Sequence, residues 1–360
     1  MAVVRRIVRQ REFVLFASIV LVFIVMTFAS PVFLTSGNIL AMLLGLSIDA
    51  IVAIGMTLLL VSGGFDLSVG SGVAIAGAIC AILLNGGSPP LVSILAAMAF
   101  LALVGVVYGF LIARVGLNAF VTTLAGLSIL RGLTYIITNG SNQVIEDPSF
   151  AIIGRGQLLG IQAPIWYVLV AVIIGDVLLR RNRFFRRNYF IGSNEKAARL
   201  SGIPVARMKT FNYVFMGLIT AAAGIILAGR VGAATITAGT GLELRVITAV
   251  VIGGASLSGG EGSVIGSFLG CLLLVLINDI LTLFGVGIYW QTLAIGVVLF
   301  LAVLIDRIGI LVRERSALHQ RSQQRSADQV FPGAAIPAEA DRPAVEQAAT
   351  EPSDARRRPL

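Results

Sequence analysis

The sequence predicts an all-α polytopic membrane protein with about ten transmembrane helices built around an inverted repeat. Three observations carry that prediction. Hydrophobic residues make up 57% of the 360 positions and charged residues 12%, about half the charge of an ordinary soluble domain. Apolar runs near the roughly 20 residues that span a bilayer follow one another almost without a break. Two stretches, one in each half of the chain, align residue by residue.

In chain order the spans fall near 13–34, 39–61, 68–84, 91–113, 117–137, 164–179, 211–229, 246–260, 262–283 and 288–305. At 68–84 and 246–260 a broken or re-entrant helix is the open alternative, tolerated where protein or water surrounds it. Residues 1–12 form a basic N-terminus, 13–307 a transmembrane domain with a loop at 180–210, and 308–360 a tail. The tail lacks an apolar period and is expected to be disordered. Its Arg356, Arg357 and Arg358 either touch anionic lipid or are simply solvated.

Basic residues orient these spans. With the N-terminus in the cytoplasm, the N-terminal segment, the turn at Arg114, the 180–210 loop and the tail hold 23 of the 27 Lys and Arg residues. The other four are Arg131, Arg155, Arg230 and Arg245. The positive-inside rule therefore puts both termini inside. The net charge of +9 reads as this topology signal, and no nucleic-acid partner is expected. The first apolar run is too long for a cleavable signal peptide. Cys80 and Cys271 lie in apolar runs and read as small buried hydrophobes. The sole histidine, His319, sits in the tail, so no catalytic triad and no histidine metal cluster is expected.

The repeat pairs GFDLSVGSGVAIAGA at 64–78 with GLELRVITAVVIGGA at 241–255, identical at 7 of 15 positions, with Asp66 facing Glu243. Gly105-x-x-x-Gly109 is echoed by Gly266-x-x-x-Gly270. Spans 2–5 and 7–10 form the two copies, starting on opposite sides of the membrane. That symmetry is typical of transporters, whose path lies near the repeat interface. The two glycine pairs read as close helix packing rather than substrate contacts.

The 180–210 loop opens with RRNRFFRRN, suited to a membrane surface and its lipid. GSNEKAARLSGIP follows at 192–204. Ser193 or Asn194 can cap a helix, Glu195 suits its dipole, Gly202 can end it and Pro204 stops it. A short capped helix here is either a docking element or an ordinary connector.

GSNEKAARLSGIPVARMK resembles the coupling loop of permeases in the ribose-type branch of bacterial ABC importers. GGFDLSVGS at 63–71, NAFVTTLAGLSILRGLTYIITNG at 118–140 and TAGTGLELRVITAVVIGGASLSGGEGSVIGS at 237–267 resemble the same family in the same order. The resemblance covers about residues 13–307. It implies a type II-like permease fold in the inner membrane, crossing it several times and moving a monosaccharide: a ribose-like pentose, a hexose or a related polyol. It implies three partners: a second permease copy or paralogue, a cytoplasmic ATPase with two nucleotide-binding domains, and a periplasmic sugar-binding protein. The ATPase-coupling helix would comprise Asn194, Glu195, Ala198, Arg199, Leu200, Ser201, Gly202 and Ile203. The only lysines, Lys196 and Lys209, follow no glycine, so the chain has no phosphate-binding loop. No cofactor is expected, with ATP bound by the partner and no enzymatic activity in this chain.

Candidates for the translocation path or gate are Asp49, Asp66, Asn118, Thr122, Glu243 and Asn278. Ionisable groups inside a bilayer are costly and usually face protein or water. For Asp66 and Glu243, capping of helix N-termini is the alternative; for Asn118, Thr122 and Asn278, helix–helix bonds or loop caps. Two transporters remain as rivals: a branched-chain amino acid ABC permease and an ion-driven secondary carrier, the latter favouring buried ion pairs in mid-span. An intramembrane hydrolase is weak without a paired nucleophile.

Overall fold

A computed structural model describes residues 2–304, with side chains from residue 12 onward; the expected tail, its arginine run and His319 lie outside the described residues. The described chain is helical almost throughout: α1 (Ala2–Ala29), α2 (Ser36–Val61), α3 (Val69–Asn85) and α4 (Pro90–Phe110), the last continued by a π turn at Leu111–Val115. Next come α5 (Ala119–Ile137), α6 (Ala151–Arg155), α7 (Ala163–Arg181), α8 (Arg183–Ser193), α9 (Glu195–Leu200), α10 (Val205–Val231), α11 (Leu242–Ile252), α12 (Val264–Leu283) and α13 (Ile288–Leu304).

Local chemistry sets many of the starts. Thr35, Asn118, Asn182, Asn194 and Ser263 each accept a backbone N–H two or three residues on, as N-caps do. Pro90 opens α4 within its first turn, where its missing N–H costs nothing. α10 starts at Val205, directly after Pro204, earlier than the expected 211.

Seven described helices are long and apolar enough to cross a membrane: Glu12–Ala29, Ser36–Val61, Pro90–Val115, Ala119–Ile137, Ala163–Arg181, Val205–Val231 and Val264–Leu283. The other three expected spans fall on shorter helices, α3, α11 and α13. The all-α membrane fold stands, and one span is corrected. α11 has 11 residues, about 17 Å at 1.5 Å per residue, well short of the roughly 30 Å hydrocarbon core. The 246–260 stretch is therefore a half-length helix followed by irregular backbone. Glycines account for the break: Gly254, Gly259 and Gly260 take φ of 98°, 85° and 79°, which no helix allows. The first expected span, 13–34, likewise ends at Ala29, just before Pro31.

Packing partners are exchanged between the halves. α4 packs on α10 of the other repeat, and α12 packs on α2. α3 packs on α10, and its counterpart α11 packs on α2. Within each copy α3 meets α4 and α11 meets α12. α2 and α10, the first helices of the two copies, lie against each other at the centre. Ile51, Val52, Leu59 and Leu60 of α2 and Met216 and Ala223 of α10 are buried there.

The paired glycines make this approach possible. A Cβ on Gly105 would stand 2.6 Å from the Val214 Cα of α10, and one on Gly109 would stand 2.8 Å from the Thr210 Cβ. On the other copy, a Cβ on Gly270 would stand 2.8 Å from the Ala249 carbonyl carbon of α11. Helix contact without a Cβ is the usual solution where lipid offers no hydrophobic drive. The outward faces stay apolar: Phe13, Phe28, Leu103, Ile129, Ile136 and Ile173 are exposed. An aqueous surface would not tolerate so continuous an apolar face, whereas a bilayer covers it. Cys80 and Cys271 are buried and unbridged.

Candidate functional site

Two of the sequence candidates, Asp49 and Asn278, line one cavity of about 280 Å³ between α2, α10, α11 and α12. Arg230 and Arg245 line it with them, and Ile48, Leu227, Leu242 and Val275 supply apolar wall. Arg245 donates Nε to Asp49 Oδ2 at 3.3 Å and Nη2 to Oδ1 at 3.4 Å. This two-pronged pair joins α2 to α11, and so one repeat to the other. Arg230, in the last turn of α10, donates Nη1 to the Leu44 carbonyl at 2.7 Å. The cavity thus holds two guanidiniums and one carboxylate, a polar cluster among largely apolar helices.

The remaining candidates lie apart from that cavity. Asp66 is buried just ahead of α3, where its Oδ1 accepts both the backbone N–H and the hydroxyl of Ser68 at 2.7 Å. It orders the turn that leads into α3 and does not cap the helix, since its partner Ser68 is itself the N-cap residue and α3 has no side-chain cap. It also borders a void of about 10 Å³ with Tyr108, Tyr213 and Thr220, room for about one water. Glu243 stands in the first turn of α11, suited to the helix dipole, with its carboxylate toward Gly70 of α3. Asn118 caps α5 by accepting the Phe120 N–H at 2.8 Å, and Thr122 donates back to the Asn118 carbonyl. Asn118 is exposed.

The 180–210 loop is a built structure. α8 presents a basic and aromatic surface, with Phe190 exposed. α9 is capped at both ends. Asn194 Oδ1 accepts the Ala197 N–H at 3.0 Å. At the other end the Gly202 N–H reaches the Arg199 carbonyl and the Ile203 N–H reaches the Ala198 carbonyl, with Gly202 at φ 78°. That is a Schellman motif, and it needs a residue that accepts the left-handed conformation. Ala198 anchors α9 by packing against Ile191, Val205 and Met208, with Ile203 alongside. Leu200, by contrast, is 90% exposed. The packing of α9 in this chain therefore rests on Ala198, and Leu200 takes little part in it.

One ion pair, Glu195 with Lys209, holds α9 to α10, and a second, Glu195 with Arg199, braces α9 internally. Glu195 receives Arg199 at 2.5 Å and Lys209 at 2.6 Å. Partial burial alone would raise the Glu195 carboxyl, but the hydrogen bonds from Lys209 and Arg199 outweigh it and hold it below the usual glutamate range. Behind α8, Gly192 packs on Val61, Gly259 and Gly260, and Tyr189 donates its hydroxyl to the Gly262 carbonyl at 2.8 Å. The loop therefore touches the end of α2 and the irregular segment after α11 directly. Glu12 of α1 closes the same corner, accepting Arg180 at 3.0 Å and the Ser263 hydroxyl.

Reading the sequence did not single out Arg230 and Arg245 as site residues, although both stood out among the few cations away from the basic loops. Nor did it foresee that α8 would be a helix.

A family model described as branched-chain amino acid transport system / permease component matches residues 38–304. The ribose import permease protein of Escherichia coli is 41% identical over 296 residues, covering 81% of this chain and 92% of that protein. The ribose import permease protein of Bacillus subtilis is 39% identical over 294 residues, covering 81% and 91%. The L-arabinose ABC transporter permease protein of Azospirillum brasilense is 37% identical over 295 residues, covering 81% and 87%.

Proposed function

The chain belongs to the branched-chain amino acid transport system / permease component family, and from that premise we propose that it forms the membrane path of an ABC importer for a monosaccharide. It is a transporter subunit, not an enzyme. Its relatives near 40% identity are permeases for ribose and arabinose, which favours a sugar over an amino acid as cargo. Among the described residues the Asp49–Arg245 pair comes nearest to the mid-span ion pair a secondary carrier would use, and the relatives do not favour that reading.

An importer permease works with an ATPase and with an extracytoplasmic binding protein. The finer assembly is our reading. The chain sits in the inner membrane with both termini and the 180–210 loop cytoplasmic, a reading supported by the distribution of its basic residues. A second copy or a paralogue completes the path. The exposed apolar faces of α5 and α13, counterparts in the two repeats, suit that partner or lipid. The ATPase supplies two nucleotide-binding domains and all the ATP chemistry, so this chain needs no cofactor of its own.

The observation that carries this reading is α9, which is capped at both ends, pinned by Ala198 and led by the bare side chain of Leu200. Asn194, Glu195, Arg199, Ser201, Gly202 and Ile203 hold that surface in shape. ATP-driven motion at α9 passes through α8 to the Gly259–Gly260 segment and to the end of α2, and so to the helices that line the Asp49 cavity. Asp66, Glu243, Asn118 and Thr122 shape the helix starts around the path instead of lining that cavity. The test is co-purification: the full chain in detergent retains its ATPase, and Leu200→Asp releases it. Equal retention of the two would contradict docking through α9.

A further inference from the structure

The Asp49 cavity carries an unbalanced charge. Two guanidiniums, those of Arg230 and Arg245, face one carboxylate. Both oxygens of that carboxylate are already engaged by Arg245. Among the described residues no carboxylate pairs with Arg230, whose side chain has one bond, to the Leu44 carbonyl. A guanidinium has five N–H donors and no acceptor, so most of this donor set is unspent. Glu243, the next acidic side chain along α11, turns toward Gly70 and does not line the cavity.

Asp49 attracts Arg230 only through space, without a hydrogen bond; a guanidinium without a bonded anion among membrane-spanning helices is costly, and an anion received there offsets that cost. Guanidinium is also the group whose fork matches a carboxylate or phosphate with two parallel bonds. Asn278 adds further donors and an acceptor for hydroxyl groups. The apolar walls, with Leu227 and Leu242 among them, suit the C–H faces of a sugar chain or ring. At about 280 Å³ the space lies just under the roughly 300–1,000 Å³ of drug-sized pockets, which fits one small solute.

We propose that this cavity binds an acidic monosaccharide, its anionic group received by Arg230 and its hydroxyls by Asn278 and the Asp49–Arg245 pair. This deepens the sugar-importer reading and rests on it for the polyhydroxy part of the ligand. The anionic group sets the specificity: a donor-rich cavity with net positive charge favours a sugar acid or sugar phosphate over the neutral sugar of the same size.

The test is thermal unfolding of the purified full-length chain in detergent with D-ribose, D-ribonate or D-ribose 5-phosphate at equal millimolar concentration. The expected result is a rise in midpoint of about 2–4 °C with ribonate, ribose 5-phosphate or both, and none with ribose. The arm with the larger rise identifies the acid. Arg230→Gln removes the unpaired cation and should abolish the rise, while Arg230→Lys keeps part of it. Arg245→Gln provides a second reading, because it frees the Asp49 carboxylate and cancels the net charge without touching Arg230. An equal rise with ribose, no rise with either anion, or a rise that is undiminished in Arg230→Gln or in Arg245→Gln overturns the proposal. ATP-dependent uptake of neutral ribose by the assembled importer, measured separately, would in that event leave the sugar-importer reading standing.

Discussion

Gly192 near the end of α8 and Gly260 in the irregular segment after α11 lie backbone against backbone: a Cβ on Gly192 would stand 2.5 Å from the Gly260 nitrogen. The Gly260 N–H itself donates to the Val61 carbonyl at 3.0 Å. Three segments from distant parts of the sequence thus meet without side chains between them. Displacement of α8 bears at once on the end of α2 and on the segment that follows α11, and these two helices carry Asp49 and Arg245.

Gly192→Val should therefore break transmission. The helical backbone at this position tolerates valine, but the contact does not. We expect the variant to insert and bind the ATPase, with ATP hydrolysis retained and sugar uptake reduced at least about tenfold, since 1.4 kcal/mol of disrupted coupling is already that factor. ATPase rate and uptake measured in the same liposomes check this, and uptake at the wild-type level counts against the contact as a transmission point.

Leu200→Asp should weaken ATPase docking without unfolding α9, because the side chain is 90% exposed and packs on little in this chain. Losing the burial of one leucine is worth about 1.5–3 kcal/mol, roughly a 10- to 100-fold drop in affinity. Titration of purified ATPase onto permease-bearing liposomes gives that ratio.

Gly202 should be replaceable in a graded order. It sits at φ 78° and donates its N–H to the Arg199 carbonyl. Asparagine accepts the left-handed conformation and should be nearly silent. Alanine should cost about 1–2 kcal/mol in local helix order, and proline should lose the conformation and the bond together. Coupled uptake should fall in the order Asn, Ala, Pro.

The pH dependence of docking follows from Glu195. Its carboxyl is held below the usual glutamate range by Lys209 and Arg199. A depressed carboxylate contributes order above its ordinary pKa and loses it as pH falls through the lowered value. ATPase binding should thus stay flat across neutral and mildly acidic pH and fall only below the usual glutamate range. Glu195→Gln should bind more weakly at neutral pH and lose that acid-side transition. The group is partly exposed, so added salt should reduce the difference.

Gly105→Leu should prevent α4 from seating on α10, since even a Cβ there would stand 2.6 Å from the Val214 Cα. Gly132→Ala in α5 is the control, with nothing within 4 Å of the added carbon. We expect loss of folded monodisperse protein for the first and a slight gain in thermal stability for the second, because alanine is worth about 1 kcal/mol over glycine inside a helix.

How much of this was legible in the sequence follows from the range of each interaction. α9 was readable to within a residue because Asn194, Glu195, Gly202 and Pro204 act over three or four positions. The glycine pairs at 105/109 and 266/270 were readable as packing for the same reason. The half-length of α11 was only hinted at by its glycines, since hydropathy alone does not register φ. The Asp49–Arg245 pair had no local signature, because its members lie 196 residues apart and meet only once the repeats interlock. Arg230 was visible as an isolated cation, but its place beside Asp49 depends on how α10 crosses α2.

The most direct measurement is uptake of radiolabelled sugar into liposomes that hold the full chain, its ATPase and ATP, with binding protein supplied outside. Accumulation should require all three proteins and hydrolysable ATP, and should be lost on Gly202→Pro while the variant still inserts. Accumulation that persists without the ATPase or without ATP would contradict the importer reading.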